Sequence, residues 1–181
     1  MHGLQRRHAD VGLHQGPLHH LPRLPKGTGL MDEHEALEYA IEAAQQSPCI
    51  KSQRGVVIWR RDVAFPIGSG FNHPPSPFVC GRNLDCRQQC GKLCIHAEED
   101  AILKALDDRG VSDFHILHVR VVDGKAVPSG PPSCWQCSRT ILQLRFKAVW
   151  LLHEDGLKAY SPEEFHQLTL ENESMPVFKM M

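Results

Sequence analysis

The chain has 181 residues, 41% hydrophobic and 23% charged, the size and mix of one globular domain able to bury a real core. With 20 Lys and Arg against 21 Asp and Glu the formal charge is -1, so no chain-wide field exists to grip a nucleic-acid backbone or an acidic membrane, and any anion site must be local. No apolar run approaches the roughly 20 residues a spanning helix needs, and the N-terminus lacks the apolar core of a secretory signal, so a soluble, cytoplasmic protein is expected.

Residues 1–30 carry His2, His8, His14, His19 and His20 among scattered Gly and Pro, with no apolar period. They read as a disordered or non-native tail, and residues 31–181 as a single domain. Asp32 with Glu35 three residues on forms a capping box, and Ala36, Leu37, Ala40, Ile41 and Ala44 make the stripe of a first helix. Gly55 to Trp59 and Ile67 to Asn72 read as paired strands on either side of Pro66. A loop rich in Pro, Gly and Cys runs from His73 to Leu93, and Ala97, Ala101, Ile102, Ala105 and Leu106 mark a second helix. Phe114 to Val122 is a β-branched third strand, followed by turn chemistry from Asp123 to Pro132. Cys134, Cys137, Ile141 and Leu144 recur at helical spacing behind Ser133 as N-cap. Ala148 to Leu152 is a fourth strand, and Glu154-Asp155-Gly156 folds Leu157 to Tyr160 back as a fifth. Ser161-Pro162-Glu163-Glu164 opens a last helix with an N-cap, a proline at the first helical position and a capping-box glutamate. The order predicts an α/β fold of three layers, α-β-α, with one mixed five-stranded sheet and helices on both faces.

Seven cysteines cannot all pair, and in a chain this long metal ligation or catalysis is the better use for them. Cys134 and Cys137, three apart, share a helix face, and the helix N-terminus favours the thiolates that zinc requires. If His96 supplies a third ligand, the ion keeps an open fourth position, as catalytic zinc does and structural zinc does not. Glu98, two residues from His96, is then the carboxylate that moves protons. A Cys-x-x-Cys alone is equally at home in a structural site; the addition of His96-Ala97-Glu98 on a preceding helix, with a strand between, points to catalysis.

This pattern resembles the zinc-dependent cytidine and deoxycytidylate deaminase superfamily, whose signature is His-x-Glu followed by Pro-Cys-x-x-Cys. The resemblance spans about Asp32 to Leu170. It includes Gly70-Phe71-Asn72, similar to the family's Gly-aromatic-Asn, and the run Cys94 to Ile102. Two departures stand out: Ser133 separates Pro132 from Cys134, and Asp100 stands where deoxycytidylate deaminases often have Asn. The resemblance implies a cytidine-deaminase-like fold with one catalytic zinc held by His96, Cys134 and Cys137, and with Glu98 as proton shuttle. The implied reaction is hydrolysis of cytosine to uracil and ammonia. The implied substrate contacts are Asn72, Ala97 and Trp135, the last of which lines the pocket or simply packs, and the implied assembly is a homo-oligomer.

Cys80, Cys86, Cys90 and Cys94 precede the active helix and invite a second, structural zinc with His73 as spare ligand, although their spacing lacks close Cys-x-x-Cys pairs. Cys49 reads as a small core residue, and His115, His118, His153 and His166 as surface or satisfied core histidines. Lys51, Arg54, Arg82, Arg87 and Lys92 are candidates for a phosphate contact. A small nucleotide or nucleoside is the leading substrate class. Single-stranded DNA or RNA comes second, because an aromatic content of 7% and balanced charge give little to a stacking groove; a noncatalytic zinc module comes third. The Gly-aromatic-Asn and the cysteine loop lean toward deoxycytidylate deaminases, while a hairpin fifth strand leans toward free cytidine deaminases and some single-strand DNA deaminases.

Overall fold

A computed structural model describes residues 29–81, 93–106, 113–129 and 134–174. Their elements are α1 (Glu33–Gln45), β1 (Gln53–Trp59), β2 (Gly68–Phe71), α2 (Ala97–Ala105), β3 (His115–Val122), β4 (Lys125–Val127), α3 (Trp135–Gln143), β5 (Ala148–His153), β6 (Gly156–Tyr160) and α4 (Pro162–Asn172). The Asp32 carboxylate accepts from the amides of His34 and Glu35 at the start of α1, closing the expected capping box. Ser161 and Glu164 close a second one at α4, with Pro162 in the first turn.

The sheet runs β2-β1-β3-β5-β6, with β4 also on β3. Only β3 and β5 are parallel, joined by the crossover through α3, and the other pairs are antiparallel. The fifth strand of the sequence reading is β6, antiparallel to β5 through the Asp155-Gly156 turn, with Gly156 at φ 118°. The sheet has six strands rather than five. Asp123 and Gly124 take φ of 50° and 75°, the left-handed pair of a tight hairpin, and fold Lys125–Val127 onto β3 where a plain turn was expected. β5 pairs with β3 only as far as His118, and β4 takes up pairing from Arg120.

Alternation along the strands divides the core in two. Val57, Trp59, Leu117, Val119 and Val121 face α1 through Ala36, Ala40 and Ala44, with Met31 closing the end. Val56, Ile58, Ile116, Val149 and Leu151 face the opposite way, onto Ala97, Ala101 and Ile102 of α2, Ile141 of α3 and Phe165 of α4. Helices therefore cover both faces, as the three-layer reading requires. α1 and α2 lie close to the sheet because glycines receive them: a Cβ on Gly55 would stand 1.9 Å from the Ala40 carbonyl oxygen, and one on Gly70 would stand 2.3 Å from the Ala101 nitrogen. Among the described residues no helix is long and apolar enough to cross a membrane. Cys49 is half-buried in the loop between α1 and β1 and belongs to neither core cluster, because that loop runs past the end of α1, whose alanines face the sheet.

Candidate metal centre

α2 and α3 begin side by side on the same face of the sheet, at the end where β3 and its parallel partner finish. In open α/β sheets this carboxyl end is where a crevice forms. His96 and Cys134 are the N-caps of these two helices, both extended (φ -77° and ψ 155°; φ -67° and ψ 155°), and neither side chain makes a capping hydrogen bond. The expected cap at Ser133 is thus displaced by one residue: Cys134 holds the N-cap and the helix starts at Trp135. The two side chains turn toward each other. His96 Nδ1 lies 3.2 Å from Cys134 Sγ and 3.4 Å from Cys137 Sγ, and the sulfurs are 3.5 Å apart. A tetrahedral zinc with bonds of about 2.3 Å to sulfur and 2.0–2.1 Å to nitrogen spaces its ligand atoms about 3.5–3.8 Å apart. The triangle is slightly tighter than that, and its donor set of one imidazole and two thiols suits a borderline-soft divalent ion, so these three residues fit zinc. Among the described residues they form the one group of three or more metal-ligating side chains.

The electrostatics agree. Cys134 is held down to about 4, chiefly by its hydrogen bond with Cys137 and further by His96, against the opposing effect of burial. His96 is pushed up to about 9, chiefly by its hydrogen bond with Cys134. A pre-formed thiolate is the species a metal needs, and a metal displaces the imidazole proton when it binds.

Glu98 lies in the first turn of α2 with only 5% of its surface exposed. Its charge reaches His96 on one side and Arg54 and His118 on the sheet on the other. Ala97 is buried in the core, so only its main chain is available to a ligand; as the first residue of α2, its N–H has no acceptor within the helix. Asn72 follows β2. Its Oδ1 accepts from the Arg54 amide and the Ser47 hydroxyl, both at 2.8 Å, and its Nδ2 donates to the Ser52 carbonyl at 3.0 Å. Three hydrogen bonds thus hold Asn72 in the wall between β1 and β2, with one Nδ2 hydrogen left over. Trp135 stacks under Arg139, whose guanidinium carbon is 4.9 Å from the ring centre, and its main-chain N–H donates to Glu173.

Asp100, the departure from Asn, ties α2 to β2. Its Oδ2 accepts from the Phe71 amide at 3.1 Å and from Lys104 at 2.8 Å, and its Oδ1 is 3.6 Å from His73 Nε2. His73 donates from Nδ1 to the Pro74 carbonyl at 2.8 Å, and its main chain bridges to Ile95. Cys80 and Cys94 join no metal group among the described residues, while Cys86 and Cys90 lie outside them, as do Arg82, Arg87 and Lys92.

Sequence reasoning passed over Arg120 and read His118 as a surface or satisfied core histidine. His118 and Arg120 share the parity of Ile116 and so face α2; the period-two pattern of β3 carried that signal. His118 is buried with Nδ1 lacking a hydrogen-bond partner, and burial, its largest influence, lowers its pKa. His115, on the opposite face, is a satisfied core histidine: it stacks on Trp59 and accepts from Trp150 Nε1 at 3.2 Å. His153 meets the Tyr160 hydroxyl and His166 meets Ser138.

No family model and no curated protein matches the sequence. Among solved structures, cytidine deaminase from Burkholderia pseudomallei superposes with a TM-score of 0.52 at 20% identity, over 75% of this chain and 96% of that one. Two structures of dCMP deaminase from the cyanophage S-TIM5 also match. One is the apo form (TM-score 0.48, 20% identity, 66% of this chain and 82% of that one) and the other the complex with dCMP and dUMP (0.48, 21%, 66% and 81%). The fold is that of the Burkholderia enzyme.

Proposed function

We propose that this protein is a zinc-dependent hydrolytic deaminase that converts a cytosine base to uracil and ammonia, acting on a nucleotide or nucleoside such as deoxycytidylate or cytidine. The observation that carries the reading is the convergence, at two adjacent helix starts, of one imidazole and two thiols at zinc spacing with a buried glutamate in the first turn of the same helix. A closed structural site needs no carboxylate there.

When bound by His96, Cys134 and Cys137, zinc supplies the Lewis acidity that brings the pKa of water to about 7. The remaining work falls to the chain. Glu98 takes a proton from the attacking water, passes it to the ring nitrogen beside C4 and later delivers a proton to the departing amine. The C4–oxygen bond forms, the C4–nitrogen bond breaks, and one water is consumed for each ammonia released. The Ala97 N–H and the remaining Nδ2 hydrogen of Asn72 are donors for acceptors on the base edge or sugar. Asp100 positions Asn72 by fixing the neighbouring Phe71 amide to α2.

The test is ammonia release from purified protein offered cytosine, cytidine, deoxycytidine, deoxycytidylate, adenine, guanine and a cytosine-containing single-stranded oligonucleotide, beside Glu98→Ala. Turnover of a small cytosine compound, lost in the variant while zinc is retained, supports the reading. Turnover of the oligonucleotide alone, or undiminished activity in Glu98→Ala, overturns it; zinc binding without any turnover makes the protein a zinc module.

A further inference from the structure

We propose that Arg54 and Arg120 form an anion subsite beside the metal-ligating group that takes the terminal phosphate of a mononucleotide and makes nucleotides the preferred substrates over nucleosides. The proposal deepens the deaminase reading and rests on it for the identity of the base.

Arg54 of β1 and Arg120 of β3 stand directly opposite each other in the antiparallel register. They share the parity of Val56 and Ile116, so both project onto the α2 face, where Glu98 lies. Like charges directly opposed across two strands destabilise a sheet, more so where water is partly excluded. Arg54 is partly buried, and the hydrogen bonds it makes through its guanidinium go to neutral acceptors: Nε to Ser52 Oγ at 2.8 Å and Nη1 to the Ser129 carbonyl at 2.9 Å. These bonds fix the plane of the fork and leave Nη2 for another acceptor. Arg120 Nε is buried with no hydrogen-bond partner. Burial lowers the Arg54 pKa most; Glu98 acts in the opposite direction, and Arg120 lowers it further. Glu98 is one carboxylate against two guanidiniums, so the pair keeps a net positive charge that an incoming anion would neutralise.

The place is also right. The Arg54 amide holds Asn72, and its guanidinium holds Ser129, which heads the segment leading to Cys134. Arg54 therefore links the Asn72 wall to the metal-ligating segment. Paired guanidiniums suit phosphate through bidentate, charge-assisted bonds. A partly buried pair fits a single terminal phosphate, whereas the diester backbone of a polynucleotide calls for a long basic surface with stacking aromatics, which the balanced charge and 7% aromatic content do not supply.

The test uses the full-length, zinc-loaded protein with deoxyuridylate and deoxyuridine, which carry no amine to lose, so binding is read without turnover. Calorimetry is expected to show deoxyuridylate bound at least about tenfold more tightly than deoxyuridine, with inorganic phosphate competing against the nucleotide only. Arg54→Gln and Arg120→Gln should each remove most of that preference, while Arg120→Lys, which keeps the charge, should retain part of it. Thermal melts identify any variant that has lost its fold, and Arg120→Lys then carries the comparison. Equal affinity, or no measurable affinity, for the two ligands overturns the proposal. So does a preference that survives both Gln variants, or tighter binding of an oligonucleotide lacking terminal phosphates. Phosphate-dependent nucleotide binding without ammonia release from any substrate would keep the subsite and sink the deaminase reading. Equal turnover of deoxycytidine and deoxycytidylate would do the reverse.

Discussion

Gly70→Ala tests how closely α2, the helix that carries His96 and Glu98, is seated. A Cβ at Gly70 would stand 2.3 Å from the Ala101 nitrogen, 2.5 Å from the Ala97 carbonyl oxygen and 2.9 Å from the Ala101 Cα. All three are backbone atoms of α2, so no side chain can swing aside. Ordinary contact needs about 3.5 Å, so β2 and α2 must separate by about 1 Å. Overpacking of this kind costs about 1–3 kcal/mol, and losing a glycine's unfolded-state freedom returns about 0.4–1 kcal/mol. The net expectation is a loss of about 1–2 kcal/mol, or about 2–8 °C in Tm for a domain of this size. The chemical effect should be larger than the stability effect. α2 carries His96 at its start and Glu98 in its first turn, and a misplacement of about 1 Å in a reacting group costs about 100-fold in rate. Urea unfolding, zinc content and ammonia release would be measured on one preparation, with Gly29→Ala as control, since nothing lies within 4 Å of a Cβ there. A Gly70→Ala protein with an unchanged urea midpoint and full turnover would refute the reasoning.

Three further outcomes follow from the same contacts. Cys137→Ser should weaken zinc binding by more than about 100-fold, since groups that only support a ligand already account for 10–100-fold; competition with a chromophoric chelator measures it. Asn72→Ala should cost about 2 kcal/mol in urea unfolding, because it strands the Arg54 amide and the Ser52 carbonyl in partly buried positions, while the Ser47 hydroxyl keeps the Asn72 main-chain carbonyl. Burial, the largest influence on each, holds His115 and His118 below the ordinary histidine value of 6.5. Below about pH 6.5 the unfolded chain therefore binds protons at rings that stay neutral in the fold, so stability rises with pH through that window and falls as pH drops from 6.5. Urea midpoints at pH 7.5 and 5.5, measured on metal-free protein, would show the fall, and a midpoint higher at pH 5.5 would contradict it.

Much of the fold was legible because local chemistry and tertiary packing agree here. Asp32 with Glu35 and Ser161 with Glu164 are capping boxes in sequence and in space, and Asp155-Gly156 turns the chain where its composition says it should. β4 was missed although Asp123-Gly124 is the same signal; its three residues are too short to show a period. The Ser133 cap failed because a usual capping residue was preferred over Cys134, whose sulfur meets both His96 and Cys137 of its own helix. The spacing of His96, Cys134 and Cys137 pointed to the three side chains that the fold brings together. It did not reveal what surrounds them, because Asp100 anchoring Phe71, Arg54 reaching Ser129 and His118 facing α2 depend on strand register, which sets partners far apart in sequence. The roles of Gly55 and Gly70 were equally hidden, since a glycine in a strand does not declare which helix lies over it.

The most direct measurement is zinc-edge X-ray absorption on protein whose metal content and ammonia release have been determined, with Cys134→Ser/Cys137→Ser alongside. Zinc held by His96, Cys134 and Cys137 gives an environment of two sulfurs at about 2.3 Å and nitrogen or oxygen at about 2.0–2.1 Å, lost together with turnover in the double variant. Full zinc and full turnover in that variant, or a native site with no sulfur ligand, would contradict it.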